Sequence, residues 1–380
     1  MKIALLTTDC REHIKDYARP TPYFGTAPQA LLEGFAMLPE ASVHVVSCLQ
    51  RPTVSPEKLA SNIWYHPLVV PKLGWLRTGY LGCVHAVRRQ LREIQPDIVH
   101  GQGTERDCAL CAVFSGLPNV LTIHGNMRLV AAINHAGPFS FQRWAARLEA
   151  VALPRTNGVV CLTRHTAKAV AALAPRTWVV PNAVETAFFD VQPQPDETPV
   201  VLCVGSISPW KNQTALIRAL DDQAAVRKLR LVFLGGAGDD PYGREFRSLI
   251  ATRSWCEHPG FADRSSLKVW LARATALVLP SLEENCPMAI LEAVAAGVPV
   301  AAARIGGVPD LIEEGVTGLL FDPRDPGATA RAVASLLDSA SLRADLAGRA
   351  RQLALTRFHP RAVASRHLEI YREVLAVEKR

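Results

Sequence analysis

Short aliphatic runs recur along the chain between glycine, proline and polar turns. This is the pattern of parallel strands buried on both faces and alternating with helices. In the first half it predicts strands at Lys2 to Thr7, Val43 to Cys48, Asp97 to His100, Val120 to Ile123, Gly158 to Leu162 and Trp178 to Asn182. In the second half it predicts strands at Val200 to Gly205, Leu231 to Gly235, Ala276 to Leu279 and Gly318 to Phe321. Ala60 to Val70 is ambiguous. Helical spacing follows Gly25 (Leu31, Leu32, Phe35, Leu38) and runs from Leu76 through Tyr80, Val84, Val87, Leu91 and Ile94. Further helices are expected over Thr166 to Leu173, from Leu267, after Pro287, from Gly306-Gly307 with Asp310, over Ala328 to Leu337 and over Arg361 to Val377. The fold class is therefore α/β, with each parallel sheet flanked by helices.

At 380 residues the chain exceeds what one hydrophobic core serves, which implies two domains. The proline-rich stretch 191–199 reads as the linker, between a domain at 1–190 and another at 200–358. Charged residues are 20% and apolar ones 49%, ordinary for a globular protein. The apolar run at the start is too short for a signal-peptide core, and the small-residue stretch Ala289 to Val308 carries Glu292 and Arg304, so neither reads as a leader or a span. A cytoplasmic location is expected. The nine cysteines read as reduced core residues. Cys108 and Cys111 form a CxxC without a second pair, and no metal is assigned to them.

The net charge of +7 is local. Arg143, Arg147, Arg155, Arg164, Lys168 and Arg176 face only Glu149 in their stretch, and Lys72, Arg77, Arg88, Arg89 and Arg92 face only Glu93. Without a helix-turn-helix, zinc-finger or RNA-binding pattern, nucleic acid is not the expected partner. An anionic acceptor or an anionic membrane surface fits better, with the basic helix beside Trp75 as a membrane candidate and a solvated face as its plainer alternative.

The candidate chemistry centres on Pro280 to Val300. Glu284 falls in the loop after a buried strand, and Glu292 falls inside the helix that Pro287 opens and Gly297 with Pro299 ends. The start of that helix presents free N–H groups suited to an anion, while two carboxylate oxygens on Glu292 suit a ribose diol. Lys211 precedes a helix after a strand, where its point charge could hold a diphosphate. His124 follows an apolar strand, where open parallel sheets place ligands. The run Gly236-Ala237-Gly238-Asp239 is not a GxGxxG, because position 241 is proline.

Taken together, these phrases resemble the retaining glycosyltransferases of family four, the group 1 transferases with the GT-B fold. The likeness rests on Glu284 and Glu292 with seven residues between them, Ala293, Gly297-Val298-Pro299-Val300, Gly306 to Asp310 and Gly315 to Leu320. It implies two Rossmann-like domains facing across a cleft, with 359–380 as a helix crossing back to the first. It also implies transfer of a sugar from a nucleotide-sugar to a saccharide or lipid-linked acceptor, in cell-surface glycan synthesis. The sequence offers no acidic cluster of the kind a metal-dependent diphosphate site uses, so no metal or other cofactor is expected. By the same resemblance His124, Glu284 and Lys211 are the catalytic candidates. Gly25, Lys211, Gly260, Phe261, Glu284, Asn285, Cys286, Met288, Ala289 and Glu292 would line the donor site. Two departures stand out: Ser206 and Trp210 occupy places where relatives carry cations, which leaves Lys211 alone or with a distant substitute such as Arg304. An epimerase of related fold and a nucleotide-sugar-binding protein with a decayed site are the alternatives.

Overall fold

The computed structural model describes residues 1–378. The chain forms two compact units, one made of residues 1–183 with 359–380 and the other of residues 184–358. The first holds an eight-stranded sheet built from β1 (Lys2–Leu6), β2 (Ser42–Leu49), β3 (Lys58–Ala60), β4 (Ile63–Val69), β5 (Ile98–Gln102), β6 (Asn119–Ile123), β7 (Val159–Cys161) and β8 (Thr177–Val179). Its order is β3-β4-β2-β1-β5-β6-β7-β8, parallel except for the β3 edge.

Side chains alternate across this sheet, as the two-residue period of a strand requires. Ile3 and Leu5 join Val43, Val45, Ile98 and Val120 on one face, where the helices Thr26–Ala36 and Pro360–Glu378 cover them. Ala4 and Leu6 join Val46, Val99 and Leu121 on the other, under the helices Leu81–Ile94 and Asp107–Val113. The last helix belongs to this unit despite its place in the chain: Phe35 and Tyr371 stack 6.4 Å apart, and Tyr371 meets Nδ1 of His100 at 2.6 Å.

The second unit holds β9 (Val200–Val204), β10 (Arg230–Leu234), β11 (Cys256–Gly260), β12 (Ala276–Leu279), β13 (Val300–Ala303) and β14 (Leu319–Phe321), all parallel in the order β11-β10-β9-β12-β13-β14. The strands β9, β10, β12 and β13 lie at its centre and are almost wholly buried, which explains their continuous aliphatic runs.

Several boundaries differ from the sequence reading. The units divide at Ala183 rather than near residue 190, because Val184 donates to the Phe358 carbonyl and Phe188 and Phe189 are buried within the second unit. Leu76 lies outside the basic helix: Leu76–Thr78 is a 3-10 turn, and Tyr80, at φ 64°, starts the helix afresh at Leu81. Ala60 to Val70 resolves into a strand with a short antiparallel edge partner. After Gly306-Gly307 there is only a 3-10 turn, Val308–Asp310, rather than a helix. The helices Cys10–Ile14, Met127–Ile133, Phe141–Ala152, Asp221–Val226, Pro241–Ala251 and Ala340–Arg357 are additional, as are the strands β11 and β13.

Candidate active site

In the second unit the buried strand β12 delivers Pro280 and Ser281 to a loop that carries Glu284. Glu284 Oε1 accepts from the Ser281 hydroxyl at 2.8 Å and from the Lys211 ammonium. Lys211 reaches it because the two loops are tied together: the Leu282 N–H donates to the Trp210 carbonyl at 2.7 Å, and the Asn212 amide to the Pro280 carbonyl at 3.3 Å. Trp210, where the resemblance leads one to expect a cation, is thus a backbone anchor in this chain. The Lys211 stem passes beside Gly205, where a Cβ would lie 3.5 Å from it. Gly307 N–H donates to the Glu284 carbonyl at 2.9 Å. Gly306 approaches that same oxygen so closely that a Cβ would sit 2.0 Å from it, at a φ of +49°. Glycine at 306 is therefore a steric requirement of the Glu284 loop.

The helix Met288–Ala295 starts four residues after Glu284, with Pro287 as its N-cap. Met288 and Ala289 occupy its first two positions, and Asn285 and Cys286 bridge the gap, Cys286 buried. Glu292 is 3% exposed and bonds to Arg264, the first residue of the helix Arg264–Arg273. Burial pushes its carboxyl up, and the Arg264 guanidinium pulls it back. Arg264 also donates through Nε to Glu185 at 3.0 Å and lies 4.4 Å above the Phe188 ring. The sequence reading did not name Arg264. Its place directly after Gly260 to Asp263 was the available signal.

Gly260 has a φ of +90°, which only glycine adopts readily, and Phe261 beside it is 82% exposed. Asp263 caps the next helix, accepting from the Ser266 N–H at 2.7 Å. Ser206 offers no charge, and its carbonyl accepts from the Gln213 amide at 3.0 Å. Arg304, weighed as a substitute cation, pairs instead with Glu314 at 2.7 Å.

In the first unit, Gly25 precedes the helix Thr26–Ala36 at a φ of +82°, as a glycine turn between strand and helix requires. His124 follows β6, with its Nε2 2.8 Å from Oε1 of Gln102. Burial pushes its imidazole below the ordinary value. Behind it His100 is fully buried between Tyr371 and Thr122 Oγ1, a structural role. Cys108 and Cys111 are buried in the helix Asp107–Val113. Among the described residues one group has ligand atoms close enough to share a metal: Cys48, Cys83 and Asp107, within 4.8 Å of one another in the core of this unit.

The structure thus joins Lys211 to Glu284 and Glu292 to Arg264 in one unit, and places Gly25 and His124 in the other.

Solved structures match nearly the whole chain. Sucrose-phosphate synthase from Thermosynechococcus elongatus has a TM-score of 0.78 at 18% identity, covering 99% of this chain and 100% of its own. The Anabaena protein HepE, solved with UDP and glucose, has a TM-score of 0.72 at 20% identity, with 98% and 100% covered. These establish the GT-B fold. Among curated relatives, D-inositol 3-phosphate glycosyltransferase of Corynebacterium glutamicum is 34% identical over 191 residues, 48% of this chain and 46% of that one. Alpha-maltose-1-phosphate synthase of Mycolicibacterium smegmatis is 28% identical over 298 residues, 70% of this chain and 76% of that one. The chain spans about half the length of the first of these. The family model described as Glycosyltransferase Family 4 matches residues 33–188, and that described as Glycosyl transferases group 1 matches residues 184–353. With both halves matched in order, the chain belongs to the group 1 glycosyltransferases of family four.

Proposed function

We propose that this protein transfers a sugar, with retention of configuration, from a nucleotide-sugar to a saccharide or lipid-linked acceptor in cell-surface glycan synthesis. The observation that carries the reading is the Lys211–Glu284 pair, set just ahead of the helix that holds Glu292. A departing nucleoside diphosphate needs positive charge, which Lys211 and the free N–H groups at the helix start supply. Glu284 accepts from sugar hydroxyls, and Glu292 from the ribose diol. Attack by the acceptor on the face the diphosphate leaves gives retention without a protein nucleophile. The nucleotide donor is supported by the Anabaena protein HepE, whose structure was solved with UDP-glucose.

Because Lys211 and backbone N–H groups carry the diphosphate, turnover is expected without added metal; loss with EDTA that manganese restores would count against this. No helix among the described residues is long and apolar enough to cross a membrane. A cytoplasmic location, with the basic face of the first unit resting on anionic lipid, belongs to this proposal. Sedimentation with anionic vesicles at low salt tests that contact, and no binding removes it.

Thermal shift of the purified protein against UDP, GDP and ADP, free and as sugar conjugates, is the decisive measurement, since ligands that bind only the folded state raise Tm. One nucleotide should shift wild type and shift Lys211→Ala less. No shift with any of them overturns the donor reading.

A further inference from the structure

Arg264 is placed between two acids, Glu185 and Glu292. Its Nε donates to Glu185 at 3.0 Å, its Nη1 donates to Glu292, and its guanidinium carbon lies 4.4 Å above the Phe188 ring. The third nitrogen, Nη2, is buried with no hydrogen-bond partner. Buried donors are almost always paired, and leaving one unpaired costs free energy, more so on a charged group. Nη2 belongs to the same guanidinium that grips the carboxylate expected to receive the donor ribose.

We propose that Arg264 is a positioning and recognition residue for the nucleotide: it holds Glu292 as a carboxylate oriented for the ribose diol, and its Nη2 donates to a ribose oxygen of the bound nucleotide. The inference rests on the donor reading above.

Three features make the arrangement do this. Glu292 is almost wholly buried, where an isolated carboxyl takes up a proton and loses an acceptor. Arg264 is the cation that opposes this, while Glu185 acts in the other direction. Arg351, on the helix Ala340–Arg357, spends its guanidinium on the Phe189 carbonyl. One cation thus serves two carboxylates, and the planar fork fixes which way each points. Phe188 supports the fork from below, so the direction of Nη2 is set by packing.

Isothermal titration of wild type, Arg264→Gln and Arg264→Lys with UDP, GDP and ADP between pH 6 and pH 9 tests the proposal. Wild type should bind one of the three with little pH dependence. Arg264→Gln should bind it about tenfold to a hundredfold more weakly at pH 7, and recover affinity as pH rises and Glu292 loses its proton. Arg264→Lys keeps the charge but not the fork, so its profile should stay flat with affinity lowered about tenfold. Wild-type affinity in Arg264→Lys overturns the Nη2 contact, and a pH-independent loss in Arg264→Gln overturns the hold on Glu292. If wild type binds and both variants match it, this proposal alone fails; if wild type binds none of the three, the donor reading fails and takes this proposal with it.

Discussion

At the scale of single residues, the difference between what was legible and what was not is the difference between local and distant partners. Glu284, Pro287 and Glu292 fall within nine positions of one another, so their loop-and-helix relation could be read from turn and helix signals. Glu292 and Arg264 are 28 positions apart, and Arg264 and Glu185 are 79 apart, so no local pattern announces them. Asp107 is a second example. It reads as an ordinary polar residue, yet it is buried beside Cys48 and Cys83, and burial raises its carboxyl pKa from 3.8 to about 6. An acid raised on folding holds a proton that the unfolded chain has released, so stability falls as pH rises from about 4 to about 6 and is level above that. Asp107→Asn should abolish this slope and give a higher Tm than wild type at pH 8, with little difference at pH 4. Heat denaturation at the two pH values checks it, and a variant less stable than wild type at pH 8 contradicts it.

At the scale of elements, aliphatic runs located the strands because a strand buried on both faces needs no alternation, and the sheet centres carry such runs. Element ends were harder. The Leu76 spacing continues a helical stripe, but Tyr80 adopts a left-handed backbone that breaks the helix there. Close approaches between helices were also silent in the sequence. Gly34 sits mid-helix, where glycine normally weakens a helix, yet a Cβ there would lie 2.1 Å from the Pro360 carbonyl oxygen. Gly34→Ala should therefore destabilise the first unit, by about 1–3 kcal/mol, despite its better helix propensity. A chemical denaturation midpoint equal to or above that of wild type would contradict the packing argument.

At the scale of the whole molecule, the chain's last helix completes the core of its first unit. Val363, Leu368, Ile370, Tyr371 and Val374 are buried in the cluster that contains Phe35 and Ile3. Deleting residues 360–380 should expose that face and unfold the first unit while the second, whose strands and core lie within 184–358, keeps its structure. Limited proteolysis of the truncated chain should leave a fragment from the second unit; a protected first unit would show that the helix is dispensable. By itself the sequence determined the α/β class, the existence of two parallel sheets, and the local phrase around Glu284, Glu292 and Lys211. Each of these depends on neighbours within a few residues or on the burial of a whole run. Only the tertiary structure decided that residues 184–199 join the second unit, that Trp210 is a backbone anchor for the Glu284 loop, that burial lowers the His124 imidazole, and that Arg264 rather than solvent meets Glu292. Those facts arise from burial and from partners brought together by folding, and neither quantity is carried by any short stretch of chain.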